Sequence, residues 1–197
     1  MPITTLLLDA DGVTQTMPGF PGSLESLLHG RATMADLFSV ERRSLTGRRD
    51  LRADLTAFLR ERQIPTPLEQ LLDAWHDVHP LPDVLAMMDA VRARGVPVYL
   101  ATNQQPVRGL HVRTALGYDA HVDGQFHSWE LGVAKPDPAF FTAIVRRLGV
   151  PAPQTLFIDD LPENAAGARE AGLVGVHHER ERGAEGVRAI LIEHGLL

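Results

Sequence analysis

Seven side chains in this 197-residue chain have the types and spacing to handle a phosphoryl group. Asp9 and Asp11 lie in the segment DADG, directly after the apolar run 3–8. Thr102 and Asn103 close a second apolar run, 96–101, and Asp159 and Asp160 close a third, 155–158. Lys135 stands between the second and third groups. Clustered carboxylates resist ionising together unless a cation compensates them. An oxygen-only ligand set that leaves room for water and a phosphate suits Mg²⁺. Such an ion, an ammonium and small hydrogen-bond donors together stabilise anionic oxygens, above all those of phosphoryl groups. The lysine carries particular weight. Of 19 basic residues 18 are arginine, and the one ammonium sits at position 135. An ammonium is a compact point charge that the planar guanidinium fork does not reproduce.

Taken one at a time, these residues have plainer explanations. An Asp beside a Gly is usually a turn residue, and an Asp pair before a Pro usually caps a helix. What makes them a site is the set of elements that would bring them together. Residues 3–8, 96–101, 155–158 and 173–176 are apolar runs without alternation, the pattern of strands buried on both faces. Helical patterns at 83–94, 137–148 and 162–171 separate them, and Pro138 and Pro162 fall at helix starts. Strands alternating with helices predict an α/β fold with a doubly wound parallel sheet. Ligands of such sheets bind beyond the carboxyl ends of the strands, where the candidate residues fall. Residues 20–80 break the rhythm with amphipathic helical stretches at 22–29, 33–45, 48–62 and 67–76, punctuated by Gly30, Gly47 and Pro65/Pro67. This predicts a core of 1–19 and 81–197 interrupted by a small α-helical cap at 20–80.

The segments LLLDADGV (6–13), ATN (101–103), GVAKPDPAFF (132–141) and FIDDLPENAAGAREAGL (157–173) resemble, in order, the four motifs of the haloacid dehalogenase-like hydrolase superfamily. With the cap, the resemblance covers nearly the whole chain. It implies a Rossmann-like core and an Asp9 nucleophile that forms an aspartyl-phosphate. It also implies an Asp11 general acid and base, and Mg²⁺ held by Asp9, the Asp11 carbonyl and Asp160 with Asp159 close by. Thr102 and Asn103 would bind the phosphoryl oxygens, Lys135 would neutralise charge, and Asn164 would support the acidic pair. Within the superfamily, dehalogenases lack the second Asp, which is present here. Phosphonatases and the small sugar mutases use a cap lysine, and this cap has none, although His29 and His76 are there. Membrane pumps need long apolar spans. Phosphomonoester hydrolysis of a small phosphorylated metabolite such as a sugar phosphate is the expectation. The alternative is a Mg²⁺- or phosphate-binding or protein-interaction module that does not turn over.

Composition narrows the field further. The absence of cysteine removes disulfides, thiol catalysis and zinc–thiolate sites and fits a cytoplasmic setting. A formal charge of −6 argues against a nucleic-acid partner. The longest apolar runs are far too short to cross a bilayer, so no membrane partner is expected. Nothing specifies an oligomeric state. His76, His79, His177 and His178 lack companion ligands and read as surface or edge residues; Trp75, Phe140 and Phe141 read as packing. Arg42, Arg43, Arg48, Arg49 and Arg52 read mainly as a solvated face; contact of one or two of them with an anionic substrate is the lesser alternative.

Overall fold

Three consecutive leucines open the sheet. Leu6, Leu7 and Leu8 are all fully buried in strand β1 (Thr5–Leu8), as a strand covered on both faces requires. The computed structural model describes residues 1–197, apart from the side chains of residues 20 and 21. A short hairpin of β2 (Gln15–Thr16) and β3 (His79–Pro80) brackets four helices: α1 (Phe20–Leu27), α2 (Met34–Glu41), α3 (Leu51–Glu61) and α4 (Leu68–Asp73). The chain then alternates through α5 (Pro82–Ala93), β4 (Val98–Thr102), α6 (Pro106–Ala115), β5 (Gly124–His127), α7 (Ser128–Leu131), α8 (Pro138–Leu148), β6 (Thr155–Asp159), α9 (Pro162–Glu170), β7 (Val174–His177) and α10 (Gly183–Glu193).

The main sheet has five strands in the order β5-β4-β1-β6-β7, all parallel. Its alternating side chains feed two layers. Leu6 and Leu8 join Val84, Met88 and Val91 of α5 and Val187, Ile190 and Leu191 of α10. Leu7 and Phe157 join Phe140, Phe141 and Ile144 of α8 on the other face. The expected α/β architecture is therefore present, with one strand more than the apolar runs predicted. That strand, β5, reads GQFH and lies at the sheet edge, so it carries no long apolar run.

The chain winds outward from β1 to β4 and β5, then crosses back to β6 and β7, so the strand order reverses between β1 and β6. Ligands of doubly wound sheets settle at such a reversal. Leu8 pairs with Ile158 across it, which sets Asp9 beside Asp159. Strand β4 lies on the other side of β1, with Leu8 opposite Leu100, and delivers Thr102 to the same rim.

The four helices between β2 and β3 have an apolar cluster of their own, including Leu24, Leu28, Leu37, Leu55 and Trp75. Met17 and Val107 pack against it from the core side. Local signals set the helix starts. Thr33 and Asp36 form a reciprocal capping box on α2, and Asp50 caps α3. Among the described residues, no helix is long and apolar enough to cross a membrane.

Candidate active site

Strand β1 ends in a tight loop in which the Ala10 carbonyl accepts from the backbone of Val13, Thr14 and Gln15. Gly12 sits in it at φ +79, a left-handed conformation that favours glycine. A side chain there would also run into the Asp160 carboxylate and the Arg180 guanidinium. The loop can thus lie against the end of β6 only with glycine at this position.

Asp9 is 6% exposed. Lys135 Nζ lies 2.7 Å from Asp9 Oδ1 and 2.6 Å from Asp159 Oδ2, bridging the two carboxylates with almost no access to water. The ammonium also stands 5.2 Å from the centre of the Phe157 ring. Burial pushes the Asp9 carboxyl up to about 7; Lys135 pulls it down, and the neighbouring charges of Asp159 and Asp11 add to the rise. Burial opposes the Lys135 charge, but Asp159 and Asp9 outweigh it and hold its affinity for the proton above the ordinary lysine value.

Asn103 fixes that lysine. Its side-chain amide donates to the Lys135 carbonyl and accepts from the Lys135 backbone N–H, both at 2.9 Å. Asp159 is fully buried and fully engaged. Oδ1 accepts from Leu161 N and Asn164 Nδ2, each at 2.9 Å, and Oδ2 accepts from Lys135. Thr102 is buried, its hydroxyl accepting from Gln104 Nε2 at 3.2 Å. All eight residues read from the sequence thus gather at one rim, with Asn164 supporting the acidic pair.

The structure adds partners that sequence reading missed. Arg108, 5% exposed on α6, grips Asp11 with two nitrogens, Nη1 to Oδ2 at 2.7 Å and Nη2 to Oδ1 at 2.5 Å. Gln15 and Gln104 donate to the same carboxylate at 2.7 and 3.3 Å. Burial alone would raise the Asp11 carboxyl, but the Arg108 charge and these hydrogen bonds outweigh it and hold it below the ordinary value. Asp160 accepts from Arg180 Nε at 3.0 Å and from Arg180 Nη2, and burial leaves its carboxyl above the usual range despite that partner. Glu41, at the end of α2, stands within the fields of Arg108 and Asp11 and accepts from the Trp75 indole; burial pushes it up to about 7. Pro106 after Gln105 was the signal for Arg108, because it starts a helix just past the end of β4 and puts position 108 in its first turn.

One expectation is corrected, that for His178. Three arginines of the insertion find partners away from this rim, in keeping with a mainly solvated face. Arg49 pairs with Asp54 and Arg52 with Glu69 on the exposed surface, and Arg48 reaches the Gly132 carbonyl at 3.4 Å. His178 is 1% exposed rather than at the surface, and its backbone N–H donates to the Asp159 carbonyl. His79 pairs with Asp77, and His76 stacks on His111. Asp137, two residues past Lys135, caps α8 and belongs to the fold.

Carboxylate oxygens of Asp9, Asp159 and Asp160 lie within 4.8 Å of one another. The donor set is all oxygen, and a carboxyl lifted to about 7 by burial and neighbouring acids is short of positive charge. Both features fit a small hard dication.

This fold and rim define a class. The chain belongs to the haloacid dehalogenase-like hydrolases, whose family model matches residues 3–172. It is similar to a sesquiterpene phosphatase of Aspergillus oryzae, 32% identical over 93 residues that make up 47% of either chain. It is also similar to a phosphatase of Mycobacterium tuberculosis, 38% identical over 95 residues, which are 47% of this chain and 43% of that one. The matches thus span about half the length of these relatives or less. Among solved structures, a predicted HAD-like hydrolase from Porphyromonas gingivalis superposes with a TM-score of 0.78 at 18% identity, covering 98% of each chain. A HAD family enzyme from Bacteroides thetaiotaomicron, solved with magnesium and inorganic phosphate, superposes with a TM-score of 0.75 at 19% identity, covering 90% of this chain and 95% of that one.

Proposed function

We propose that this protein is a Mg²⁺-dependent phosphomonoester hydrolase that works through an aspartyl-phosphate on Asp9. The observation that carries the reading is the bridging of Asp9 and Asp159 by one buried lysine at 2.7 and 2.6 Å, beside a second carboxylate gripped by Arg108. That lysine lets a buried aspartate be an anion beside an incoming phosphate. The named phosphatases among the relatives and the magnesium and phosphate in the similar structure support the same class.

A carboxylate oxygen of Asp9 attacks phosphorus, the bond to the ester oxygen breaks, and Asp11 protonates the departing oxygen. Asp11 then takes a proton from water, whose oxygen attacks phosphorus, releasing inorganic phosphate and the free Asp9 carboxylate. Arg108 keeps Asp11 ionised, the state the second step needs; in the first step Asp11 takes the proton of the substrate's phosphate monoanion and passes it to the departing oxygen, and the proton it takes from water in the second leaves with the phosphate. Thr102 and the Asn103 backbone face the phosphoryl oxygens, and Lys135 neutralises them. Mg²⁺, when bound, would be held by Asp9, the Asp11 carbonyl and Asp160 and would supply further neutralisation of phosphoryl charge. Asp159, which accepts from Leu161, Asn164 and Lys135, orients Lys135 and lies close to where the ion would sit. The helices of residues 20–80 act as a cap over the rim, and the substrate is a small phosphorylated metabolite. The sugar phosphate expected from the sequence is one candidate for its organic part.

The test is release of phosphate from acetyl phosphate and p-nitrophenyl phosphate with Mg²⁺, with EDTA, and in the Asp9→Asn variant. Turnover that disappears in EDTA and falls at least about a thousandfold in Asp9→Asn is expected. No hydrolysis of any ester, with Mg²⁺ bound equally by both proteins, would sink the enzyme reading in favour of a binding module.

A further inference from the structure

A cavity of about 720 Å³ opens beside the candidate catalytic loop, lined by Gly12, Gln15, Thr16, Met17, Phe38, Leu81, Leu161, Arg180 and Gly183. Its size suits a small organic ligand. Its position ties it to the chemistry. Gln15 forms part of its wall and also donates to Asp11 at 2.7 Å, while Gly12 and Arg180 both border Asp160. The cavity therefore begins where a leaving-group oxygen would part from phosphorus.

The walls carry little that could recognise a polyol. Met17, Phe38, Leu81 and Leu161 supply the side-chain bulk, and the lining includes no carboxylate. Leu161 is 44% exposed, one of few large apolar side chains left open on this surface. Of the polar members, Thr16 lies open to water, and the other two already have partners in the protein. Gln15 donates to Asp11 and accepts from the Tyr118 hydroxyl, and Arg180 directs Nε and Nη2 at Asp160. Sugar hydroxyls placed here would lose water against apolar side chains and find few replacements, and an unpaired buried hydroxyl is costly. Methylenes or an aromatic ring would gain from the same walls.

Building on the phosphatase reading, we infer that this cavity holds the organic part of the substrate and selects phosphomonoesters whose leaving group is an apolar alkyl or aryl body rather than a polyhydroxylated one. Phe38 contributes from the insertion, and Met17, Leu81 and Leu161 from the core. The occupant is small, because the phosphate is anchored at the rim and the volume beyond it is limited.

The experiment uses the full chain with Mg²⁺ and measures kcat/KM for ethyl, butyl and hexyl phosphate, for glycerol 3-phosphate and glucose 6-phosphate, and for acetyl phosphate as an activated acyl phosphate with almost no organic body. A rise of about threefold per added methylene from ethyl to hexyl is expected. The two hydroxylated esters should fall about tenfold or more below hexyl phosphate. Leu161→Asn, at an exposed position that folding tolerates, should lower the hexyl-to-ethyl ratio about fivefold. A flat alkyl series, or glucose 6-phosphate preferred over hexyl phosphate, would overturn the assignment of the cavity and leave the phosphatase intact. Hydrolysis of none of these compounds, the activated acetyl phosphate included, would overturn both.

Discussion

The rim of the core and the helical insertion both hold closely paired charges, yet the pairs differ in kind. At the rim, Lys135 joins Asp9 to Asp159, and Arg108 joins Asp11 across 97 positions of sequence, with side-chain exposures of 1% for Lys135 and 6% for Arg108. In the insertion, Arg49 meets Asp54 and Arg52 meets Glu69 at short distances as well, but with the arginines about half exposed. Distance therefore does not separate the two regions; access to water does. A buried charge left without its partner cannot be rescued by solvent, whereas an exposed one can. Groups at the rim are consequently interdependent and shifted in their proton affinity, and those on the insertion surface are nearly independent.

The largest effect of breaking the comparison falls on Lys135. Lys135→Arg keeps the charge but replaces a point with a planar fork in a space closed to water. Expected is a loss in kcat of about a hundredfold or more and a clear drop in Tm, with Mg²⁺ unable to restore the rate. A variant as active as wild type would show that charge alone suffices there. Next comes Arg108→Gln, which breaks a buried pair and should cost about 3 kcal/mol in urea unfolding. Its catalytic signature would separate positioning from folding. Arg108 holds Asp11 ionised for hydrolysis of the phosphoryl-enzyme, a step all esters share, so the variant should lose about a hundredfold on alkyl phosphates and accumulate phosphorylated protein. Loss of rate with no phosphorylated protein accumulating would deny Arg108 any part in the proton transfer by Asp11.

These contrasts also mark what the sequence could express. The apolar runs that end in Asp9, Thr102 and Asp159 announce the central strands, because a strand buried on both faces must be apolar throughout. Edge strand β5 is buried only in part and therefore reads as GQFH, without a pattern. Strand ends placed Asp9, Asp11, Thr102, Asn103, Asp159 and Asp160 together, Lys135 stood out as the one lysine, and the family resemblance added Asn164. Arg108 and Arg180 stayed hidden among 18 arginines because their role depends on which carboxylate they face, a property of tertiary packing alone. The arginine-rich stretch 42–52, read mainly as a solvated face, holds the exposed pairs of Arg49 and Arg52. Composition locates charge; burial decides what the charge does.

Glu41 tests the boundary between the regions, being part of the insertion but placed near Arg108 and Asp11. Its carboxyl is raised to about 7, above the ordinary 4.5, chiefly by burial. The folded protein therefore binds a proton there that the unfolded chain releases as pH passes the ordinary value. That stabilisation is full below about 4.5 and is lost as pH rises through about 7. Glu41→Gln mimics the protonated form at every pH. In EDTA it should match wild type near pH 5 and exceed its Tm by several degrees at pH 8. A difference independent of pH would show that the carboxyl titrates normally and that the insertion lacks any electrical tie to the rim.

The smallest expected effect belongs to Arg52→Ala. Its guanidinium makes two hydrogen bonds to Glu69, at 2.5 and 3.0 Å, a geometry as good as the grip of Arg108 on Asp11. Both partners are about half exposed or more, so water replaces each lost hydrogen bond and salt screens the attraction. Phosphatase rate and Tm should stay within error of wild type at physiological ionic strength. Set beside Arg108→Gln, this gives two bidentate arginine–carboxylate pairs of similar length, one with large consequences and one with none. If Arg52→Ala instead lowered kcat while Tm held, the α3–α4 surface would have to move with the cap during turnover, and the separation between rim and insertion would fail at that point.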